Sequence, residues 1–349
     1  MKSFQIGKNE AGQRFDKFLK KLLSQAPASF VYKMLRKKNI TLNGKKAAGS
    51  EILNINDEVK LFLSDETFAK FAPYVLKSSG EQLCKTIPAR KYQFPSIPLD
   101  IIYEDNDIMV INKPHGMLSQ KAKPEDISAN EYIIGYLLQQ HTITEEELAT
   151  FTPSVCNRLD RNTCGLLIAG KSLKGLQDMA NQLSSRSVDK YYRCLVKGAL
   201  VKPQTVEGWL MKDEQTNQVK VFMSERKDGR YIKTGYQPLA YYVKGVKRTG
   251  KGCLQKVQLA EISDNTEVFT LLHVHLITGR SHQIRAHLAC LGYPIVGDYK
   301  YGDRKLNDWF AHHFQIRTQM LQAYRIRLAD GREFEAPLER EFQRVLGKY

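Results

Sequence analysis

From Leu99 onward, the chain is dominated by apolar segments of strand length. Residues 101–103 and 108–111 flank a polar turn and predict a hairpin, and residues 190–196 and 271–276 predict two further strands. Helical spacing is confined to fewer stretches, such as the one after Ser172, a residue type that caps helices. The segments do not alternate regularly between strand and helix, as a parallel sheet would require. The pattern therefore predicts an α+β domain on a mixed, mainly antiparallel sheet.

A much smaller unit is predicted at the N-terminus, where basic residues are concentrated. Residues 14–46 carry ten lysines or arginines and a single acid, Asp16. Apolar residues recur at helical spacing over residues 15–23, Ser29 is placed to cap a second helix, and an Asn43-Gly44 turn ends a short strand. A run of charge is usually only a solvated surface, but here it is almost unopposed by acids and the whole chain has a net charge of +16. The pattern favours binding to a nucleic-acid backbone.

The basic residues predicted to contact nucleic acid are Arg14, Lys17, Lys33, Arg36, Lys37, Lys38 and Lys45.

Length and composition support two domains in a protein of the cytoplasm. The 349 residues divide into a basic unit at 1–63, a linker at 64–97 and a large domain at 98–349. The N-terminus has no apolar signal sequence, and no apolar run approaches the roughly 18 residues of a membrane span. The six cysteines are scattered without a C-x-x-C pair, which is typical of reduced thiols in the cytosol.

One segment of the large domain places an acid between two arginines. Asp160 lies between Arg158 and Arg161 in a turn-rich stretch, directly before the apolar residues 166–169, which predict a buried strand. An acid held there has a fixed position and a cationic environment that keeps it ionised. A surface ion pair in a loop is the alternative, and it is the commoner meaning of such a triplet on its own.

A second charged segment spans residues 278–287. We predict a turn followed by a helix that Ser281 caps and Gly292 ends, with Arg285 in its first turns. The helix dipole favours acids, not arginines, at that end. Arg285 is therefore expected to have another anion as its partner, either a carboxylate or a phosphate, although a plain surface arginine is the simpler interpretation of this segment alone.

The histidines invite a metal interpretation that their spacing does not favour. His273 and His275 share a strand face, while His282 and His287 are five residues apart and point differently on a helix, with Cys290 beyond them. This spacing fits no standard metal site. The sequence also lacks a glycine-rich phosphate loop, a nucleotide fingerprint and a Ser-His-Asp order. We therefore expect neither a metal nor a cofactor.

Taken together, these segments resemble the RluA class of pseudouridine synthases. Residues 157–160 with 163–165 are similar to the catalytic Arg-Leu-Asp motif of that class, and residues 102–105 with 112–114 and Gly116 to its opening strand and loop. Lys190 and Tyr192 match its tyrosine motif, and residues 279–287 with Gly297, Asp298, Tyr301 and Gly302 its arginine motif. Residues 14–63 resemble the RNA-binding domain named after ribosomal protein S-four. Two residues depart from the class: Asn157 stands where many members have His, and Cys164 where Ser or Thr is usual.

The resemblance implies a role for each residue of the site. Asp160 would be the essential carboxylate, and Arg285 would pair with it and keep it ionised. Tyr192 would stack on the uracil near C5, where a proton must leave. Arg158 would hold the flipped nucleotide or fill its place in the stack.

The other residues predicted to bind the substrate are Arg280, His282 and Gln283.

The resemblance also implies the partner. RNA is expected, with large-subunit ribosomal RNA or its precursor preferred and transfer RNA left open, and the protein is expected to act as a monomer. A non-catalytic ribosome-assembly factor on the same fold is an alternative. A glycosidase-type hydrolase is another, but that chemistry usually needs a second positioned carboxylate, and none stands beside these motifs.

Overall fold

A computed structural model of the chain describes residues 1–72, 94–95, 98–145, 147–213, 218–246, 252–263 and 266–347. Two separate sheets are present in these ranges, one of four strands and one of twelve.

The N-terminal unit packs three helices on the four-stranded antiparallel sheet, whose order is β1-β4-β2-β3. Its elements are β1 (Lys2–Gln5), α1 (Phe15–Leu22), α2 (Ala28–Arg36), β2 (Ile40–Leu42), β3 (Lys45–Lys46), β4 (Glu58–Leu61) and α3 (Asp65–Phe71). Asn43 and Gly44 have φ of 51° and 71°, as the tight turn between β2 and β3 requires, so the predicted Asn-Gly turn is confirmed. The predicted apolar face is confirmed as well, because Phe15, Phe18 and Leu19 are fully buried.

Two sequence predictions in this unit are wrong. Ser29 does not cap the second helix, because α2 already begins at Ala28 and Pro27 is its N-cap. The predicted linker begins with a helix, α3, which Ser64 caps by accepting a hydrogen bond from the amide of Thr67. Phe68 of α3 is buried in the same core as α1, so the unit extends past residue 63 to residue 72. Residues 73–93 and 96–97 of the predicted linker lie outside the described ranges.

The large domain is built on the twelve-stranded sheet. Its strands are β5 (Ile101–Glu104), β6 (Ile108–Lys113), β7 (Ser154–Val155), β8 (Cys164–Gly170), β9 (Asp189–Lys197), β10 (Gln204–Asp213), β11 (Gln218–Phe222), β12 (Arg230–Val246), β13 (Gly252–Val257), β14 (Val268–Leu276), β15 (Leu321–Arg327) and β16 (Glu333–Glu335). Its helices are α4 (Ala129–Gln139), α5 (Leu173–Ser184), α6 (Gln283–Cys290), α7 (Arg304–Phe314) and α8 (Arg340–Leu346), with short 3₁₀ turns at Glu147–Ala149 and Leu259–Glu261.

The strand order along the sheet is β11-β10-β12-β14-β9-β15-β8-β6-β5, with β13, β16 and β7 paired at its sides. Every pair is antiparallel except β8 with β15, which run parallel. Gly165 has a φ of 108° at that parallel contact, and a β-carbon there would lie 2.0 Å from the carbonyl oxygen of Ala323. Only glycine allows so close an approach. The predicted α+β class with a mixed, mainly antiparallel sheet is confirmed.

Strand β9 runs through the centre of this sheet and contributes to a core on each face. Tyr192, Cys194 and Val196 pack in one cluster, whereas Leu195 packs with Phe269 of β14 in another. This alternation is the one predicted from the period of two.

Helix α6 differs from its prediction at one end. It begins at Gln283, and its N-cap is His282 in the left-handed conformation with a φ of 54°, so Ser281 does not cap it. The predicted end is confirmed, because Gly292 has a φ of 84° and donates its amide to Ala289. Within the described part of the chain, no helix combines the length and apolar character needed to cross a membrane.

Candidate active site

Asp160 lies in the turn that leads into β8. Its carbonyl accepts a hydrogen bond from the amide of Thr163 at 3.0 Å. The preceding residue, Leu159, is held on both sides by the buried hydroxyl of Ser119, which accepts from the Leu159 amide and donates to its carbonyl. The position of the carboxylate is therefore set by loop hydrogen bonds rather than by regular secondary structure.

Lys113, the last residue of β6, holds this turn in place through hydrogen bonds to backbone carbonyls. Its side chain is fully buried, and its ammonium donates to the carbonyl oxygens of Pro114, Met117 and Arg161 at 2.9–3.1 Å. Burial lowers the pKa of Lys113 to about 8, although the nearby Cys164 and Asp160 act in the opposite direction. Lys113 thus joins the loop after β6 to the turn that carries the acid.

Arg285 of α6 lies between two carboxylates. Its Nη1 donates to Oδ2 of Asp160 at 2.8 Å, and its Nε and Nη2 donate to both oxygens of Asp298 at 2.7 and 2.9 Å. The Asp298 side chain is 1% exposed and also accepts from the amides of Lys300 and Tyr301. Burial disfavours the charge of Arg285, but the two carboxylates outweigh it and raise its pKa. The predicted pairing of Arg285 with Asp160 is present.

His282 adjoins the same acid without being its ionic partner. Its Nε2 lies 3.9 Å from Oδ2 of Asp160, and its Nδ1 is 2.8 Å from the hydroxyl of Tyr301. Burial lowers the pKa of His282, and the cations of Arg285 and Lys300 lower it further against the effect of Asp160. The imidazole is therefore neutral near pH 7, and the short distance to Asp160 is not an ion pair.

Tyr192 closes the site from β9, where it is 5% exposed. It pairs with Val274 of β14 and Ala323 of β15, so its ring stands on the face that bears the pocket. Burial and the charge of Asp160 both raise the pKa of Tyr192. The side chain is consequently a neutral phenol with a flat apolar face.

Asp160, Tyr192, His282 and Arg285 line one cavity of about 680 Å³. Asp160 is the single acid that lines it within the described ranges. The cations that line it are Arg158, Arg186, Lys190, Lys212, Arg280 and Arg285. A cavity of this size holds a drug-sized ligand, and one carboxylate within a ring of cations suits a polyanionic substrate.

Arg158 and Arg280 are exposed at this cavity, as expected of residues that hold a substrate. Gln283, by contrast, is 2% exposed and has its amide fully engaged inside the protein. Its Oε1 accepts from Thr278 and from the amide of Arg280, and its Nε2 donates to Lys233 and Thr234. Gln283 lines the cavity and its amide shapes the turn before α6, and its contact with the substrate stays a prediction.

The two residues that depart from the family pattern, Asn157 and Cys164, both contact backbone groups. Oδ1 of Asn157 accepts from the amide of Ile168 at 2.8 Å, which fixes it to β8. Cys164 is buried, with its thiol 3.8 Å from the carbonyl of Leu321. Arg161, which had no predicted role, donates to the carbonyl of Gly116.

The residues predicted to contact nucleic acid are all exposed on the N-terminal unit; they are Arg14, Lys17, Lys33, Arg36, Lys37, Lys38 and Lys45. Arg14 differs from the rest because its guanidinium is held by Asp16 at 3.0 Å. Asp16 is itself buried and accepts from the hydroxyl of Tyr32 as well. The only acid within residues 14–46 is thus buried inside the unit.

The histidines considered for a metal have separate partners. Nδ1 of His273 lies 2.8 Å from the Tyr324 hydroxyl, and Nε2 of His275 lies 3.0 Å from Asp189. Nδ1 of His287 lies 3.2 Å from the hydroxyl of Thr234.

Sequence reasoning missed the roles of Lys113 and Asp298. Both residues were part of segments recognised by resemblance, but no role was assigned to either. The signal for Lys113 was a single lysine at the end of an apolar strand, which would be costly to bury without acceptors. Asp298 could be connected with Arg285 only through the tertiary structure.

Comparisons with known proteins agree with this geometry. Residues 107–290, more than half of the chain, match the family described as RNA pseudouridylate synthase. The chain is 26% identical to a protein of Vibrio cholerae named ribosomal large subunit pseudouridine synthase C, over 98% of this chain and 95% of the relative. It is 29% identical to the protein of that name from Buchnera aphidicola, with the same coverage. The solved structure of human RNA pseudouridylate synthase domain containing 4 superposes with a TM-score of 0.50 at 19% identity, over 70% of this chain and 92% of that chain, which supports the fold.

Proposed function

Because this chain belongs to the RNA pseudouridylate synthase family and is therefore an isomerase of RNA uridines, we propose that Asp160 carries its chemistry, on a uridine of large-subunit ribosomal RNA. The single observation that supports Asp160 most strongly is its position. It is the one acid lining a cationic cavity of the described chain, and its carboxylate is 2.8 Å from Arg285.

The reaction breaks the bond between N1 of uracil and the ribose, turns the base, and joins C5 to the same sugar carbon. C5 then loses its proton, and N1 takes up a proton in place of the broken bond. Atoms and electrons balance within one nucleotide, so no redox partner or second substrate is consumed. An ionised carboxylate at the base or sugar is the group that such a rearrangement needs. Arg285, fixed by Asp298, holds the Asp160 carboxylate in position when the substrate displaces water.

Tyr192 is proposed to stack on the uracil as it turns. Its raised pKa keeps it a neutral phenol, so it offers a π-face rather than a charge. Flipping a nucleotide out of its stack costs a few kcal/mol, and stacking on an aromatic side chain returns roughly 1–3 kcal/mol. Arg158 and Arg280, both exposed at the cavity, are placed to hold the flanking phosphates or the vacated space.

Two observations support ribosomal RNA as the substrate. Relatives that cover nearly the whole chain carry the name ribosomal large subunit pseudouridine synthase C. The N-terminal unit also presents Lys33, Arg36 and Lys37 on exposed positions of one helix and its end, which suits contact with the backbone of structured RNA. We propose that the protein acts as a cytoplasmic monomer.

The deciding experiment is Asp160→Asn on ribosomal RNA labelled with tritium at C5 of uridine. We expect tritium release to cease while RNA affinity changes by less than about threefold, because the amide keeps the shape of the carboxylate. Asp178→Asn, an exposed acid on α5, is the matched control and should retain full activity. Turnover by the Asp160 variant would refute the assignment, and release of free uracil by the wild type would indicate a hydrolase.

The substrate is tested separately by comparing pseudouridine maps of RNA from cells with and without the protein. We expect one or more sites to disappear from large-subunit ribosomal RNA. Loss of sites only from transfer RNA would overturn the proposed substrate but leave the chemistry intact.

A further inference from the structure

A second group of ionisable side chains lies outside the cavity, behind the turn that carries Asp160. His115 follows Pro114 in the loop after β6, Glu339 is the N-cap of α8, and Glu341 is in the first turn of that helix. Nε2 of His115 lies 3.6 Å from Oε2 of Glu341 and 3.9 Å from Oε2 of Glu339. The three side chains are about four-fifths buried, with 18–23% of each exposed.

The tautomer of His115 can be assigned from its other nitrogen. Nδ1 lies 2.9 Å from the carbonyl oxygen of Asn162, which can only accept a hydrogen bond, so Nδ1 carries a proton. In the neutral ring, Nε2 then carries a lone pair that points towards the two glutamates. Among the described residues, neither this Nε2 nor Oε2 of Glu341 has a hydrogen-bond partner, although both atoms are buried. Two buried acceptors that face each other are satisfied either by a proton on one of them or by a metal cation between them.

We propose that His115, Glu339 and Glu341 bind one divalent transition-metal ion, of the Zn²⁺ or Mn²⁺ type. An imidazole nitrogen with two carboxylate oxygens is a donor set for such ions. Ligand bonds of about 2.0–2.2 Å place neighbouring donor atoms roughly 3.3–3.6 Å apart in a tetrahedral site. The observed separations from Nε2 are at that value or a few tenths of an ångström beyond it, within reach of small side-chain rotations.

The surroundings of the three residues are those of a metal site. A histidine that binds a metal usually donates its other N–H to a carbonyl or carboxylate, which orients the ring, and His115 does so to Asn162. Glu339 is oriented too, because its Oε2 accepts from the amide of Glu341 at 2.5 Å. Its own amide donates to Gln322 of β15.

The ion would act as a structural clamp and take no part in the isomerisation. Asn162, the residue held by His115, lies two positions after Asp160 in the same turn. Through Glu339 and Gln322, the site also reaches β15, which pairs in parallel with β8 directly after that turn. A bound cation would therefore fix the C-terminal helix and the loop after β6 against the turn of the catalytic acid.

Calorimetric titration of the full-length protein with ZnCl₂ alone, after removal of metals with a chelator, tests this site. MnCl₂ is titrated in parallel, and the Cys290→Ser background removes an exposed thiol that could bind zinc. We expect one ion per chain, and an affinity at least thirtyfold weaker in both Glu341→Gln and His115→Gln. His275→Gln is the control, since His275 also faces a carboxylate, that of Asp189 at 3.0 Å, and it should bind as the parent does.

Thermal unfolding provides a second readout that does not depend on activity. Saturating Zn²⁺ should raise the melting temperature of the parent and of His275→Gln, because a ligand that binds only the folded state stabilises it. It should not raise that of Glu341→Gln, which keeps the shape of the side chain and so folds even if the His115 variant does not. Absence of saturable binding, or equal affinity in Glu341→Gln, would overturn the proposal and leave an ion pair of protonated His115.

Discussion

Arg285 donates to Asp160 across 125 residues of chain, and the same guanidinium makes two further hydrogen bonds to Asp298. The Arg285 side chain is 9% exposed and that of Asp298 is 1% exposed, so the arginine is held by a fully buried anion. Asp160 is the more open of its two partners, at 25%. The buried carboxylate therefore anchors the cation, and the cation in turn presents the exposed carboxylate to the cavity.

Asp298→Asn should lower the turnover rate without a matching loss of RNA binding. The amide cannot accept two charged hydrogen bonds, so Arg285 becomes free to turn away from Asp160. We expect a fall in kcat of roughly 10–100-fold, about 1.4–2.7 kcal/mol, with little change in KM. Tritium release measures it, and Asp308→Asn, an exposed acid, is the control. An equal rise in KM would mean that Asp298 acts on substrate binding instead.

Lys113→Met should weaken both the fold and the turnover. The methionine fills the space but removes the donor of the Pro114 and Met117 carbonyls, while the carbonyl of Arg161 keeps the amide of Gly116. An unsatisfied buried acceptor costs about 1–3 kcal/mol. We therefore expect the free energy of unfolding to fall by at least about 2 kcal/mol. Urea denaturation measures this, and kcat should fall tenfold or more. Lys174→Met, on the surface, should leave both unchanged.

Replacing Lys33 and Lys37 with glutamine should reduce the salt dependence of RNA binding. Each phosphate contact contributes roughly 0.7–0.9 to the slope of log affinity against log salt. The double variant should therefore lower the slope by about 1.5 if both lysines contact phosphates. Filter binding at several salt concentrations measures it. Lys202→Gln with Lys305→Gln, both exposed on the large domain, removes the same charge, and an equal effect there would argue against a specific role for the N-terminal unit.

His287 should make the protein less stable in acid. The side chain is fully buried, and burial lowers its pKa to about 4. As the pH falls below about 6.5, the ordinary pKa of histidine, this histidine is protonated in the unfolded chain but not in the folded protein. The contribution of the neutral His287 to the free energy of unfolding is complete above about pH 6.5. About 3 kcal/mol of it is lost as the pH falls to about 4. Urea midpoints between pH 7.5 and 4.5 measure the loss.

The matched comparison for this effect uses His287→Gln and His312→Gln. The first variant should show a flatter dependence of stability on pH, since it removes the buried titrating group. His312 is exposed, so its replacement should leave the wild-type slope. Identical slopes for all three proteins would show that other groups govern the acid transition.

Much of the site was predictable because family resemblance connects segments that lie far apart in sequence. The pairing of Arg285 with Asp160 was expected on that basis and is present at 2.8 Å. The buried hydrogen bonds of the Gln283 amide were not predicted, because a pattern of residue types does not say which side of a turn an amide faces. The caps assigned to Ser29 and Ser281 failed for a related reason: the helices begin at Ala28 and Gln283, and caps depend on backbone angles that neighbours impose.

The sequence by itself determined what is local: the period of two in β9, the cap at Ser172, the Asn43-Gly44 turn and the basic surface of the first domain. These follow from short-range sterics and from the burial of apolar faces, which leave a direct trace in residue order. Only the tertiary structure decided which charged side chains are buried and which groups they pair with. Lys113 donates a hydrogen bond to the turn of Asp160, and His115 lies beside Glu341, because the strands and the C-terminal helix converge there. The free energy of such contacts depends on distance and desolvation in space, which residue order does not encode directly.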